Sequence, residues 1–272
     1  MPELPEVEVI RLTLEPLVLG RRVRDVEVRC ASLRREIAGN FAARLSGRGV
    51  TAIRRRSKYL LFDLDDGYCW IVHFGMSGRL VHAANGGRRA GRHDHVIVTL
   101  SDGSGLVFND PRRFGLMMLE REEHCVLLQG LGPEVLDEAS FTGAYLASFR
   151  SRTRRTVKDV LMDQRVVAGL GNIYVNEVLF ASGVRPRRRL SGLSLNQCRR
   201  ITEACRMIVA EAIEHKGSTV SDFLDGIGRK GGYQWRHHVY ARTGEACRVC
   251  GETIKAVAVG QRRSFYCPGC QK

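Results

Sequence analysis

Four cysteines near one end constrain this chain more than any other feature. Cys247-x2-Cys250 and Cys267-x2-Cys270 stand sixteen residues apart. That is the spacing of a four-thiolate zinc site. Four thiolates close the coordination sphere of one Zn2+, so the metal is expected to be structural rather than catalytic. Two short β-runs between the pairs, 254–259 and 264–266, predict a hairpin with Arg262 and Arg263 at or near its tip. Chance proximity of four unrelated cysteines is a poor alternative at this spacing. The other five, Cys30, Cys69, Cys125, Cys198 and Cys205, have no ligand spacing and read as buried small apolar residues.

Charge narrows the partner. Among 272 residues, 43 are Lys or Arg and 29 are Asp or Glu, a net charge of +14. The basic residues are spread along the whole length, which favours a polyanion, most simply nucleic acid. No apolar run is long enough to cross a membrane and no signal peptide is recognised. Nine cysteines in such a chain point to a reducing compartment, so a cytoplasmic protein without organic cofactor is expected. A monomer is the expectation, since no pattern demands self-association.

Along the chain, residues 5–14 read as a helix with Val7, Ile10 and Leu14 on one face. Strands are expected at 22–28, 50–56, 59–64, 68–74, 93–100 and 106–109, with turn signals between them. Many short strands suggest a β-sandwich or barrel. The Gly- and Arg-rich stretch 83–92 reads as a surface loop. Near Leu131-Gly132-Pro133 the pattern turns helical, with helices expected at 141–149, 156–163, 173–182 and 195–215. The fold class is therefore α+β with two domains. Gly169-Leu170-Gly171-Asn172 separates two of the helices, and Asn172 is expected to cap the second. Such a helix start suits a phosphate, but a tight helical connection explains the same residues equally well.

The first residues carry the chemistry. Loss of Met1 would leave Pro2 as a secondary amine. An α-amine near neutral pH holds about two hundred times more free base than a lysine. Attack on a sugar carbon gives an iminium directly, an electron sink of the Schiff-base kind. Glu3 and Glu6 place carboxylates beside it for proton transfer. Taken alone, Pro5 opening a helix with acids in its first turn is the simpler account. Elsewhere, Lys58 lies between a basic run and an apolar strand, where a solvated edge lysine is the plain reading. Met76 sits in a glycine turn. Arg112 and Phe114 share a loop, suited to holding phosphate and wedging a base stack, although one anchoring phenylalanine in a Pro-Gly loop would look alike.

Six motifs in order then resemble one family. Pro-Glu-Leu-Pro-Glu-Val-Glu, Ser-Lys-Tyr-Leu, His-Phe-Gly-Met-Ser-Gly, Asp-Pro-Arg-Arg-Phe-Gly, Gly-Leu-Gly-Asn-Ile-Tyr and the four-cysteine finger are similar to those of the bacterial formamidopyrimidine-DNA glycosylases. The resemblance runs from Pro2 to Lys272. It implies an N-terminal β-sandwich with flanking helices (1–133), a helical domain with a helix–two-turn–helix motif (134–236) and a zinc finger (237–272). It implies a bifunctional glycosylase/lyase that removes oxidised purines from double-stranded DNA and cuts by β,δ-elimination. By position it implies Pro2 as nucleophile, Glu3 as acid, Glu6 as supporting carboxylate, Lys58 for β-elimination and Arg262 for δ-elimination. Met76, Arg112 and Phe114 would fill the gap left by the flipped base. His93, Arg154, Lys158 and Asn172 would contact DNA. Thr153 stands where the family has a basic contact, with Arg152 or Arg154 as substitutes, and Ala241 stands where glycine is usual. The competing readings are an endonuclease VIII-like enzyme for oxidised pyrimidines, disfavoured by Leu4, and a non-catalytic zinc-finger DNA-binding module.

Overall fold

The computed structural model describes residues 2–84 and 91–272. Most of the expected loop at 83–92 therefore lies outside the described residues. The chain forms two compact units, residues 1–129 with 215–234, and residues 130–214 with 235–272.

The first unit starts with helix α1 (Leu4–Val18), whose Leu4, Val7, Ile10, Leu14 and Val18 are buried. The helix runs four residues past the expected end, through Pro16. Proline removes one helical hydrogen bond. The carbonyl left over belongs to Leu12, on the exposed face, while Leu14 and Val18 keep the last turn packed. Gly20, at φ +75°, lets the chain reverse beyond it.

Eight strands follow: β1 (Val23–Val28), β2 (Val50–Arg56), β3 (Tyr59–Leu64), β4 (Cys69–His73), β5 (Arg79–Ala83), β6 (Asp94–Leu100), β7 (Gly105–Asn109) and β8 (Leu116–Glu120). They make two antiparallel four-stranded sheets, ordered β1-β6-β7-β5 and β2-β3-β4-β8. Strands β3 and β4 are buried on both faces, so they read as continuous apolar runs rather than alternating ones. Phe62 stacks on the fully buried Trp70 at 4.4 Å. Helix α1 packs on β2 and β3 of one sheet and on β5 of the other. The short α2 (Phe41–Leu45) packs on β1 and β8, and α3 (Val126–Gln129) closes this stretch.

The second unit is helical: α4 (Gly143–Ser148), α5 (Val157–Met162), α6 (Asn172–Ala181) and α7 (Leu195–Glu214). On α7 the buried Cys198, Ile201, Cys205, Ile208, Val209 and Ala212 recur at helical spacing against α4 and α6. Gly143 is required here, because a Cβ would lie 2.7 Å from the Arg199 Cα. Hairpin β9 (Lys255–Val259) and β10 (Arg262–Tyr266) completes the unit. Val259 pairs with Arg262 across the two-residue turn Gly260-Gln261, with Gly260 at φ +55°. Arg262 thus sits at the hairpin tip. Of the five remaining cysteines four are buried, as expected, while Cys30 is half-exposed.

Candidate functional site

In the first unit the N-terminal segment is held by carboxylates. Pro2, Glu3 and Glu6 are all buried. Glu3 is the N-cap of α1, in a capping box with Glu6. One oxygen of the Glu6 carboxylate accepts the Glu3 N–H at 2.9 Å, and the other accepts the Ser218 N–H at 2.7 Å. Glu6 therefore ties the start of the chain to a segment 212 residues further on. Lys216 and Gly217 both take positive φ there, 62° and 73°, and a Cβ on Gly217 would stand 2.9 Å from the same carboxylate. Beyond them, Asp225 closes a turn by accepting the N–H groups of Ile227 and Arg229, and Thr13 of α1 accepts the Gly226 N–H at 3.0 Å.

Lys58 is not a solvated edge lysine. It is only 7 % exposed, at the tip of the β2–β3 hairpin, after Ser57 at φ +55°. A left-handed, non-glycine residue at a hairpin tip stores strain that the surroundings must sustain. Arg55 does part of this, donating to the Ser57 carbonyl at 3.0 Å and to Glu8 at 2.9 Å.

The loops carrying Met76, Arg112 and Phe114 touch. A Cβ on Gly75 would fall 2.3 Å from the Phe114 backbone, so that glycine permits the approach. Met76 and Phe114 are 43 % and 44 % exposed, and the Arg112 guanidinium lies 4.9 Å from the Phe114 ring centroid. Arg113, at φ +56°, turns the chain between them. His93 belongs to the same cluster through its carbonyl, which accepts the Asp110 N–H at 3.0 Å. The organiser is Asp110, fully buried, which sequence reading quoted in a motif but gave no role. Its carboxylate accepts Ser77 Oγ at 2.6 Å, Gly115 N–H at 2.7 Å and Arg112 N–H at 3.3 Å. Asp110→Ala takes this acceptor from Ser77 Oγ and the Gly115 N–H, while the Arg112 N–H keeps Ser77 Oγ at 3.2 Å, and should cost about 3 kcal/mol. Urea unfolding measures it, and a loss below about 1 kcal/mol would show that Asp110 does not hold the loops.

His73, two residues before Gly75, accepts the Gly75 N–H on Nδ1 at 3.1 Å. Burial, then the Lys58 and Arg34 charges, pull its pKa from 6.5 to about 4. The unfolded chain takes up this proton near pH 6.5 and the folded one does not until about pH 4. Stability from His73 is thus complete above pH 6.5 and lost as pH falls to 4, up to about 3 kcal/mol. His73→Asn should flatten the stability profile over that window, and an unchanged profile would contradict the assignment.

In the second unit, Gln164 shapes the turn between α5 and α6 by accepting the Gly169 N–H and donating to the Leu170 carbonyl, both at 2.8 Å. Gly169 takes φ +105°. Asn172 is not the cap of α6. Gly171 is the N-cap, and the Asn172 side chain instead donates to the Arg263 carbonyl at 3.2 Å. The Asn172 amide turns toward β10, and its Oδ1, buried without a partner, accepts no N–H of the helix start. Lys158, almost fully buried, donates to Ser264 Oγ at 2.6 Å and to the same carbonyl at 3.2 Å. Asn176 accepts the Phe265 N–H at 2.7 Å. These contacts fasten β10, leaving Arg262 exposed at its start. Arg154 is exposed in the loop before α5. Neither Asn176 nor Ser264 was found from sequence, since their partners lie on distant elements.

The four finger sulfurs lie within 4.8 Å of one another. Cys247 and Cys270 Sγ are 3.9 Å apart, Cys250 and Cys267 Sγ 3.3 Å. Tetrahedral Zn–S bonds of about 2.3 Å require sulfur separations of roughly 3.8 Å, so the cluster fits one Zn2+. Burial pushes the Cys247 thiol up, but the Val249 and Cys250 N–H groups outweigh it and bring the pKa to about 7. Phe180 of α6 packs into the finger core with Val239, Ile254 and Phe265. Buried Glu177 accepts three consecutive backbone N–H groups, those of His238, Val239 and Tyr240, which fixes the chain entering the finger. Ala241, where glycine is usual, adopts φ +60°, which accounts for that preference.

Two antiparallel sheets, a helical unit and a four-thiolate finger on a chain of net charge +14 define a zinc-finger protein built to meet nucleic acid. Comparisons give the family. Models of the formamidopyrimidine-DNA glycosylase N-terminal domain, its H2TH domain and the zinc finger found in FPG and IleRS match residues 1–117, 131–224 and 244–272. The formamidopyrimidine-DNA glycosylases of Methylococcus capsulatus and Stutzerimonas stutzeri are 44 % and 45 % identical, each over the whole of both chains. Among solved structures, MutM (Fpg) of Thermus thermophilus superposes with a TM-score of 0.88 at 37 % identity, covering 99 % of this chain and 98 % of that one. Lactococcus lactis Fpg, solved with DNA containing an abasic site, gives 0.89 at 31 % identity and 99 % coverage of both. The chain belongs to the formamidopyrimidine-DNA glycosylase family and is a DNA glycosylase with one structural zinc. No helix among the described residues is long and apolar enough to cross a membrane.

Proposed function

We propose that this chain excises oxidised purines from double-stranded DNA through a Schiff base at Pro2 and then cuts the strand on both sides. The observation that carries this reading is the buried Pro2-Glu3-Glu6 cluster, with Glu6 anchored across 212 residues to Ser218. In the reaction, the Pro2 nitrogen bonds to C1′ and the bond from C1′ to the base breaks. Glu3 delivers a proton to the opening sugar, and Glu6 holds the backbone of Glu3 in place. The iminium at C1′ acidifies the C2′ hydrogens. Lys58 moves that proton, the C3′–O bond breaks, and the 3′-phosphate leaves. A second proton loss, assisted by Arg262, expels the 5′-phosphate. Water then releases the sugar fragment from Pro2, leaving a one-nucleoside gap.

Rotating the nucleotide out of the duplex costs a few kcal/mol. Met76, Arg112 and Phe114, exposed on adjoining loops, have the character to fill the vacancy. His93, Arg154, Lys158 and Asn172 serve the DNA backbone in this reading. The segments 1–133, 134–236 and 237–272 act as catalytic, DNA-holding and finger parts. The Lactococcus lactis relative, solved with DNA carrying an abasic site or Fapy-dG, supports damaged DNA as the partner. Its bacterial relatives support a cytoplasmic location. Excision from duplexes carrying 8-oxoguanine or thymine glycol tests the substrate. The expected result is strong preference for the purine and phosphates on both ends of the gap. Preference for the pyrimidine, or a single cut, would overturn it.

A further inference from the structure

In the second unit, two loops form a belt of arginine of which the reading above uses only Arg154. The loop before α5 and the loop after α6 run side by side. Thr156 bridges Arg189, the Val157 N–H donates to the Arg188 carbonyl at 2.8 Å, and the Leu190 N–H donates to the Arg155 carbonyl at 3.2 Å. These contacts set residues 155–157 against 188–190 in antiparallel sense; Arg150, Arg152, Arg154 and Arg155 lie on one strand of this crossing and Arg185, Arg187, Arg188 and Arg189 on the other, with Arg150 toward Ser191. Among the described residues only Arg155 of these eight pairs with a carboxylate, Asp163 at 2.9 Å. Arg187 and Arg188 reach only backbone carbonyls, at 3.4 and 3.3 Å. Like charges crowded this way repel, and the arrangement is relieved by a polyanion.

A second, independent feature lies beside the belt. A cavity of about 400 Å³ is bordered by Ala147, Ser148, Arg150, Ser151 and Ser191. The Arg150 Nε is buried and has no acceptor. A guanidinium short of an acceptor, next to serine hydroxyls, suits an oxyanion. Planar bidentate contact with phosphate is what arginine does best.

We propose that Arg150, Ser151 and Ser191, with Arg187 and Arg189, form a phosphate-binding track for the DNA backbone, separate from the residues assigned above to the lesion. The track is sequence-independent in this proposal, because its arginines and serines meet phosphate oxygens, which carry no sequence information. It also bears on Thr153. A basic contact missing at that position is made good by this neighbouring belt rather than by one substitute residue.

The test uses the full-length, zinc-loaded protein and undamaged duplex DNA, so it does not depend on Pro2 chemistry. The double variant Arg187→Gln/Arg189→Gln changes exposed side chains only, and Arg150→Gln is measured beside it. Each phosphate contact contributes about 0.9 to the slope of log K against log salt. The double variant should lower that slope by about 1.8, so that the wild-type advantage shrinks about twelvefold between 50 and 200 mM salt. Single-turnover excision at saturating enzyme should stay at the wild-type rate. An unchanged slope would overturn the proposal. Inorganic phosphate supplies the other arm: if it binds wild type and not Arg150→Gln, while duplex affinity is unaffected by all three substitutions, the pocket is a free-anion site and the DNA assignment is wrong. Loss of borohydride trapping with an intact slope effect would instead count against the Schiff-base reading alone.

Discussion

Pro2→Gly should lower base excision on the order of a thousandfold while leaving duplex affinity within about threefold of wild type. The substitution keeps a terminal amine but removes the ring nitrogen, whose iminium has no N–H left to lose and so stays a cationic electron sink. It also frees the first backbone torsion, so the nucleophile is no longer pre-set against its target. The fold tolerates the change, because α1 is capped by Glu3 and Glu6 and opened by Pro5 rather than by Pro2. A chain that retains Met1 should be equally inactive, since its Pro2 nitrogen is an amide. Comparable single-turnover rates for Pro2→Gly and wild type would remove the nucleophile from this account.

Zinc removal should be the next largest effect. Cys250→Ser, or prolonged chelation, should unfold the segment from Gly244 onward and reduce strand cleavage by at least about a hundredfold. Structural zinc supplies roughly 10–16 kcal/mol in finger peptides, far more than the apolar core around Ile254 and Phe265 can replace. Arg262 then loses the hairpin that presents it. The contacts of Lys158, Asn172 and Asn176 to β10 hold one side of that hairpin, but not its sulfur end. The sheets of the first unit have their own core, so thermal unfolding should split into two transitions. Zinc content by absorption, amide protection over residues 255–266 and a nicking assay report the outcome. Full nicking by a zinc-free protein with protected amides would contradict it.

Much of this molecule was legible in its residues. Strands β2 and β3 were bounded to the residue, because Asp66-Gly67 and the basic run before Lys58 punctuate them. Strands β5 and β8 were not seen. Leu116-Met117-Met118-Leu119 is a short apolar run without alternation, which periodicity cannot separate from a loop or a buried helical turn. The five-residue α2 is too short for any period to show. The finger was legible because zinc ligation imposes spacing along the chain. The carboxylate network was legible only in half. Glu3 and Glu6 form a local capping box, but the Ser218 N–H and the grip of Asp110 on Ser77 depend on partners brought together by the fold. Local rules also pointed to Asn172 as a cap, and a carbonyl on β10 took its side chain instead. Strain was equally invisible. Ser57, Arg113 and Lys216 take left-handed conformations beside Lys58, Phe114 and Gly217, and nothing in those residue types announces it.

The most direct measurement reduces the enzyme–DNA intermediate with borohydride on abasic-site duplex, digests the adduct and reads its mass. The account predicts a sugar remnant on the nitrogen of Pro2, in a peptide lacking Met1. A remnant on Lys58 or any other lysine, or an adduct-forming chain that still carries Met1, would contradict it.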